Sequence, residues 1–145
     1  MSEYKFYTHV QIRYGDIDAQ WHVNNAQTVT LIETARFNFV QSLGIFDGTS
    51  FTDLGWIVAD VHVSYLAPIF LTQKIRIGVR VARLGNKSMT LEYQIEDEAT
   101  GEILTKAENL HERRELLSLF FEEVPTYEEI VNGTPIYYSG KKGPV

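Results

Sequence analysis

A short polar segment near the N-terminus carries the side chains best suited to chemistry. It contains two aspartates, one histidine and two adjacent asparagines: Asp16, Asp18, His22, Asn24 and Asn25. The apolar pattern of a helix begins directly after it, and the first N–H groups of a helix have no partners within the helix. These groups and the helix dipole favour an anion or a polarised carbonyl at that position. The segment therefore predicts a carboxylate that attacks or deprotonates a molecule docked at a helix N-terminus.

The spacing of apolar residues predicts the elements on either side of this segment. Before it, the alternation from Phe6 to Ile12 predicts a half-buried strand. After it, a helix with Asn24 or Asn25 as its N-cap continues to Leu43. Gly44 then stands in the position of a C-terminal stop. Because most of the helix surface is apolar, other elements must wrap around it.

Further strands are predicted C-terminal to the helix. Apolar positions alternate with polar or small ones in four segments, 57–65, 75–81, 89–95 and 103–111. Short turns at Leu84–Asn86 and Glu98–Gly101 join the later strands. An antiparallel sheet curled around a mostly buried helix gives an α+β fold class. We expect one domain over residues 1–139, closed by a short helix at 127–131, and a flexible tail over residues 140–145.

Composition excludes several classes of function. The 145-residue chain has no cysteine, which removes disulfides, thiolate nucleophiles and cysteine-ligated metals and fits a reducing compartment. No pair of histidines has the spacing of a metal site, so we expect no metal. The net charge of −6 argues against general nucleic-acid binding. No apolar run approaches the ~18 residues of a membrane span, and the polar N-terminus is unlike a signal sequence, so we expect a cytoplasmic protein without membrane partners.

The segment from Tyr14 to Arg36 resembles a known family motif. It contains Asp16-Ile17-Asp18, His22-Val23-Asn24-Asn25 and Glu33-Thr34-Ala35-Arg36 in the order D-x-D-x-x-x-H-V-N-N…E-x-A-R. This pattern is similar to the signature of hotdog-fold acyl-CoA thioesterases of the 4-hydroxybenzoyl-CoA thioesterase family. The resemblance implies the hotdog fold, in which an antiparallel β-sheet wraps around a long central α-helix, and it implies hydrolysis of acyl thioesters.

The resemblance also implies roles for individual residues. Asp18 matches the catalytic carboxylate, which acts either as a nucleophile or as a general base for water, and Asp16 is left as structural. Asn25 lies where the family supplies a backbone N–H that polarises the thioester carbonyl. His22 is either a helper in that chemistry or an ordinary loop histidine. The chain departs from the family pattern near the predicted acyl pocket, at Trp21, where glycine is usual, and at Thr28, where an aromatic residue is common.

A second set of residues is predicted to contact coenzyme A. The segment Gly85–Met89 resembles the turn where a basic residue and a serine meet the nucleotide, which implies Lys87 and Ser88 as contacts. Arg83 and Lys87 belong to a cluster of five basic residues, which also contains Lys74, Arg76 and Arg80. This cluster is either the solvated face of a strand or a patch that contacts phosphate groups.

Glu33 and Arg36 lie within the apolar arc of the predicted helix, at the spacing of side-chain neighbours. Either they form a buried or interfacial ion pair that fixes packing, or Glu33 reaches toward the catalytic pocket across a dimer interface. The apolar arc is wider than one sheet covers, which predicts a homodimer or a homotetramer.

The predicted function is hydrolysis of acyl-CoA thioesters to a free carboxylic acid and CoA. No metal or organic cofactor is required because thiolate is a good leaving group, and CoA enters only as part of the substrate and product. The carrier is either CoA or acyl carrier protein. Two other classes stay open, a non-catalytic module that binds or senses acyl-CoA and a hotdog dehydratase or hydratase. A charged Asp18 in the predicted pocket favours the hydrolase.

Overall fold

The computed structural model describes residues 4–44, 56–86 and 88–113. The elements in chain order are strand β1 (Phe6–His9), a short 3₁₀ helix (Tyr14–Asp16), helix α1 (Asn25–Ser42) and strands β2 (Trp56–Tyr65), β3 (Ile75–Leu84), β4 (Ser88–Asp97) and β5 (Ile103–Arg113). The predicted closing helix at 127–131, the domain end at residue 139 and the tail at 140–145 lie outside the described residues. Within the described part of the chain, no helix has both the length and the apolar character needed to span a membrane.

The strands form one antiparallel sheet in the order β1-β3-β4-β5-β2. Tight turns join β3 to β4 and β4 to β5, as predicted, and Gly101 adopts a φ of +76° in the second turn. The first strand is shorter than its sequence pattern predicts. His9 pairs with Arg76, one residue from the start of β3, so no partner strand remains for the chain beyond it. The predicted α+β class is confirmed.

One face of the sheet packs on α1. Inward side chains of the central strands alternate with outward polar ones, and the buried set includes Ile77, Val79, Leu91, Tyr93 and Ile95. The helix contributes Leu31, Ile32, Ala35 and Phe39 to the same core. Fully burying a large apolar side chain stabilises the fold by about 1.5–3 kcal/mol. This packing holds the helix N-terminus at a fixed place on the sheet.

The helix begins and ends where its sequence predicts. Asn24 is the N-cap, and its side-chain oxygen accepts a hydrogen bond of 2.8 Å from the Ala26 N–H. The helix ends at Ser42, and Gly44 adopts a φ of +75°, as expected of a glycine stop. Within one protomer, burial on the helix is confined to the side that faces the sheet. Glu33 is exposed, because the sheet covers only one side of α1.

Candidate active site

The loop before α1 is held by the buried Asp16. Its two carboxylate oxygens accept hydrogen bonds from the Arg13 backbone N–H, at 2.8 Å, and from the Arg13 guanidinium, at 3.1 Å. Burial acts to raise the pKa of Asp16, but the hydrogen bonds and charge of Arg13 outweigh it and hold the pKa below its usual value. The Asp16 carbonyl also accepts the Asn24 N–H at 2.9 Å. Asp16 therefore fastens both ends of the loop.

Asp18 lies in the middle of the same loop and is half-buried. Its Oδ1 accepts a hydrogen bond of 2.8 Å from the Gln20 N–H, and its Oδ2 accepts a long one, 3.5 Å, from Asn24 Nδ2. A backbone bridge between Ile17 and Val23 closes the loop around it. The Asp18 carboxylate is thus tied to the residue that caps α1.

A pocket of about 300 Å³ opens at the N-terminus of α1. The helix entrance lines one side with His22, Val23, Asn25 and Thr28, and the other side is formed by Tyr65, Leu66, Ala67, Pro68, Ile69 and Thr105. The Tyr65 hydroxyl donates a hydrogen bond of 2.9 Å to the Asn25 carbonyl, which ties β2 to the helix entrance.

The backbone N–H of Asn25 is suited to bind an acceptor in this pocket. It belongs to the first turn of α1, whose N–H groups have no acceptor within the helix. The neighbouring Ala26 N–H already donates a hydrogen bond to the Asn24 side chain. The Asn25 N–H, in contrast, has no acceptor among the described residues. A carbonyl oxygen placed here would be polarised by this N–H and by the helix dipole.

His22 lines the pocket as a half-buried side chain. Its ring packs edge-on against Phe70, with 6.5 Å between the ring centroids. Its backbone carbonyl accepts the Asp18 N–H at 3.1 Å. In the part of the chain that is described, no hydrogen bond joins the imidazole to Asp18, so His22 contributes to the pocket wall and to the loop geometry.

Trp21 has a left-handed backbone, with a φ of +66°. Its N–H donates to the Asp18 carbonyl at 3.0 Å, and its side chain is 72% exposed. Only glycine adopts this backbone conformation without steric cost. This explains why glycine is usual at this position in the family that the sequence resembles.

The residues predicted to contact coenzyme A lie far from this pocket within one protomer. Thr105, in the pocket, and Glu112, which pairs with Ser88, are seven residues apart on β5, or ~23 Å at ~3.3 Å per residue. Arg83 is exposed near the same distant end of the sheet, and Lys87 lies outside the described residues. One protomer therefore does not bring Asp18 together with Arg83 and Ser88.

Two members of the basic cluster are neutralised on the outer face of the sheet. Arg76 forms a salt bridge of 2.5 Å with Glu96, and Arg80 forms one with Glu92. Tyrosine rings stack on both guanidinium groups, Tyr7 at 4.2 Å and Tyr4 at 4.6 Å. The alternative of a solvated strand face thus describes Arg76 and Arg80, and Lys74 and Arg83 are the described members that remain exposed without a salt bridge to a described residue.

Glu33 and Arg36 form no salt bridge with each other within the described protomer. An interfacial ion pair, or a reach of Glu33 across a dimer interface, stays a prediction. Arg36 is half-buried and lies toward β4 and β5. Burial raises the pKa of Tyr93, and the positive charge of Arg36 partly opposes this effect. Burial, together with the charge of Arg36, lowers the pKa of His111 to about 4. Arg36 therefore belongs to a buried polar cluster rather than to the pocket at the helix entrance.

The sequence pattern did not identify three residues that shape the site. Asn24 was expected only as a possible N-cap, and the structure adds its contact with Asp18. Tyr65 and Thr105 occupy inward strand positions and resemble ordinary core residues in the sequence, so no local signal marks them. In the described segments, no three His, Asp or Glu side chains are grouped as metal ligands.

The segment that carries this site lies within a region shared with known proteins. Residues 12–112 match the sequence model of the Thioesterase-like superfamily. The chain belongs to this superfamily. The long-chain acyl-CoA thioesterase FadM of Escherichia coli is 25% identical over 100 residues, which cover 69% of this chain and 76% of that protein.

Solved structures agree with this membership. A thioesterase from Thermus thermophilus, complexed with coenzyme A and Zn, is 28% identical with a TM-score of 0.69, over 78% of this chain and 86% of that one. A DHNA-CoA thioesterase from Staphylococcus aureus has the same fold, with 23% identity and a TM-score of 0.68 over 80% of this chain and 83% of that one. The predicted hotdog fold and the predicted class, a thioester hydrolase, are confirmed.

Proposed function

We propose that this protein hydrolyses acyl-CoA thioesters, with Asp18 as the catalytic carboxylate and the Asn25 N–H as the group that polarises the thioester carbonyl. The observation that carries this proposal is the tie between Asp18 and the N-cap of α1 through Asn24. It places a carboxylate beside the N-terminus of a helix that also lines a pocket. This is the pair of groups that acyl transfer requires, one to attack or activate and one to stabilise the developing oxyanion.

The chemistry has two possible first steps at Asp18. As a nucleophile, the carboxylate attacks the thioester carbon, the C–S bond breaks, CoA leaves as thiolate, and water then hydrolyses the mixed anhydride. As a general base, Asp18 takes a proton from water as its oxygen attacks the same carbon; the tetrahedral intermediate then breaks its C–S bond and expels CoA thiolate, which can take up the proton held by Asp18. In both cases the carbonyl oxygen gains negative charge in the transition state beside the Asn25 N–H. Losing one such donor commonly costs about 3 kcal/mol of transition-state stabilisation.

Two comparisons support a CoA ester as the substrate. The E. coli relative is named a long-chain acyl-CoA thioesterase, and the T. thermophilus thioesterase was crystallised with coenzyme A. The motif residues of this chain lie inside the matched region. Acyl carrier protein presents the same thioester on the same phosphopantetheine group, so its esters are tested beside those of CoA.

We also propose that the active unit is a homodimer joined along β2. This strand is an edge of the described sheet, and its inward Val61 is 41% exposed. A two-fold axis would pair β2 antiparallel with its copy and set the Trp56 end of one strand beside the Tyr65 end of the other. The partner's Arg83 and the partner's Ser88 would then approach the pocket, which supports their proposed role in binding CoA.

Release of free thiol from a panel of acyl-CoA and acyl carrier protein esters tests the proposed reaction. We expect wild-type protein to release thiol with saturation kinetics, and Asp18→Asn to bind the same esters without releasing it. A binding module would bind acyl-CoA without thiol release in the wild type. A dehydratase or hydratase would change the acyl group and leave the thioester intact. Either result would contradict the proposal.

A further inference from the structure

Trp21 has a strained backbone conformation, with a φ of +66°. Three described residues have a positive φ, and the other two, Gly44 and Gly101, are glycines. The hydrogen bond from the Trp21 N–H to the Asp18 carbonyl and the bridge between Ile17 and Val23 fix the loop in this shape. Any side chain at this position is disfavoured by contact between its Cβ and the backbone. Strained backbone that persists in a structure often marks a functional site.

The indole of Trp21 adds little stabilisation to the fold that could offset this strain. The side chain is 72% exposed, so it buries little apolar surface within the protomer. Glycine would fit the same loop without strain. Packing among the described residues therefore does not account for an indole at this position.

The pocket lined by His22, the residue that follows Trp21, is too small for a whole acyl-CoA. Its volume of about 300 Å³ is at the lower end of the range for small-molecule sites. Two exposed apolar side chains define its rim: Leu66, a lining residue that is 56% exposed, and Phe70, which follows the lining residue Ile69 and is 45% exposed. Phe70 packs on His22, the residue that follows Trp21. A substrate that enters the pocket must lay its remaining length on an apolar rim.

The negative charge of Asp18 favours the acyl chain over the nucleotide of the substrate at this rim. Trp21 is hydrogen-bonded to the backbone of Asp18 in the same tight loop, and the negative charge of the Asp18 carboxylate disfavours phosphate groups of the nucleotide near this loop. An apolar chain has no such penalty, and a large aromatic side chain offers it contact area. We propose that Trp21 is a specificity-determining residue that packs against the acyl group and extends the pocket for long chains. This inference rests on the proposed thioesterase function.

Kinetics of Trp21→Gly and Trp21→Phe with acetyl-, hexanoyl- and dodecanoyl-CoA test the inference. We expect Trp21→Gly to lower kcat/KM about tenfold for dodecanoyl-CoA, mainly through KM, with less than about a twofold change for acetyl-CoA. Trp21→Phe should recover most of the loss. Trp21→Gly should unfold at a temperature equal to or above that of the wild type, because glycine relieves the strained backbone.

Several outcomes would overturn the inference. Equal losses for all three esters, or dissociation of Trp21→Gly protein in light scattering, would assign Trp21 to the fold or to a subunit contact. Unchanged kinetics would leave the indole without a role in acyl selection.

Fluorescence gives a second measurement that does not depend on catalysis. In Trp56→Phe protein, Trp21 is the only tryptophan. We expect dodecanoyl-CoA, but not acetyl-CoA or CoA alone, to shift its emission to shorter wavelength as the indole is desolvated. If no ester is hydrolysed but this shift occurs, the reaction is wrong and the acyl contact stands. If no ester causes the shift, the acyl contact is wrong whatever the activity.

Discussion

The side-chain amide of Asn24 both hydrogen-bonds the Asp18 carboxylate and caps the N-terminus of α1. Asn24 Oδ1 accepts the Ala26 N–H at 2.8 Å, while Asn24 Nδ2 donates to Asp18 Oδ2 at 3.5 Å. The side chain that caps α1 therefore also orients the proposed catalytic carboxylate. Because the cap fixes the amide, the carboxylate is positioned relative to the helix N-terminus, where the thioester carbonyl is proposed to bind.

Substitutions of Asn24 should separate these two roles. Asn24→Ser keeps a capping oxygen but removes the donor to Asp18, so we expect near wild-type stability and a several-fold lower kcat. Asn24→Ala removes both and should also lower the free energy of unfolding by about 1 kcal/mol. Urea unfolding and steady-state kinetics measure the two effects. Full activity in Asn24→Ser would mean that the contact with Asp18 does not contribute to catalysis.

The two aspartates of the loop should respond in opposite ways. Asp18→Asn keeps the shape and removes the charge, so we expect kcat to fall at least ~10²-fold with the fold intact. Asp16→Asn should instead lower the free energy of unfolding by about 1 kcal/mol, because the charge-assisted hydrogen bonds from Arg13 to the buried carboxylate become weaker neutral ones. Protein that still folds should keep most of its kcat. Urea unfolding and steady-state kinetics compare both variants. Near wild-type kcat in Asp18→Asn would mean that Asp18 only holds the loop and is not catalytic.

Binding of coenzyme A should depend on Arg83 and Lys87 of the basic cluster. Coenzyme A carries several phosphate charges and the protein is acidic overall, so we expect Arg83→Glu to raise KM for acyl-CoA with little change in kcat. Lys87→Glu should act in the same way. The effect should shrink with added salt, since the Debye length is only ~8 Å near 0.15 M.

Two controls accompany this prediction. Lys106→Glu changes an exposed charge on the outer face of β5 and should leave KM unchanged. A short thioester analogue without the nucleotide should not distinguish Arg83→Glu from the wild type. Equal effects on both substrates would mean that Arg83 acts through folding or the chemical step.

The oligomeric state is testable at the β2 edge. We expect a dimer or a larger even assembly in light scattering at micromolar concentration, and Val61→Lys, which places a charge on the inward face of β2, should dissociate it and abolish activity. His62→Gln, on the outward face of the same strand, should leave both unchanged. A folded and active wild-type monomer would rule out the proposed dimer.

Acid should destabilise the protein through His111. Its pKa is about 4 in the folded state and 6.5 ordinarily, so between these values the unfolded chain binds a proton that the folded protein does not. The free energy of unfolding contributed by this group is therefore constant above about pH 6.5 and falls as the pH drops toward 4, by up to ~3 kcal/mol. Urea unfolding near pH 7 and near pH 5 measures it. His111→Gln should remove about 2 kcal/mol of the difference.

Features that depend on local geometry are predictable from the amino-acid sequence. The alternation of apolar residues placed four of the strands, and the asparagine cap and Gly44 placed both ends of α1, because these signals act within a few residues of each other. The first strand was overestimated, since its pattern continues beyond the point where a partner exists. The spacing of Asp18 from the helix start also depends only on the chain between them.

Tertiary structure decided which of these residues meet. Asp16 and Asp18 are two positions apart, yet one is buried against Arg13 and the other lies open beside Asn24, a difference set by how the loop closes. The contact between Tyr65 and Asn25 depends on packing of β2 beside the helix entrance. Arg83 lies far from the pocket because the antiparallel registers of β4 with β5 and of β5 with β2 put the β3–β4 turn at the end of the sheet opposite Tyr65. The two turns predicted the β3–β4 and β4–β5 hairpins, but β1 pairs with β3 and β2 pairs with β5 across long stretches of chain, and no local pattern encodes those pairings.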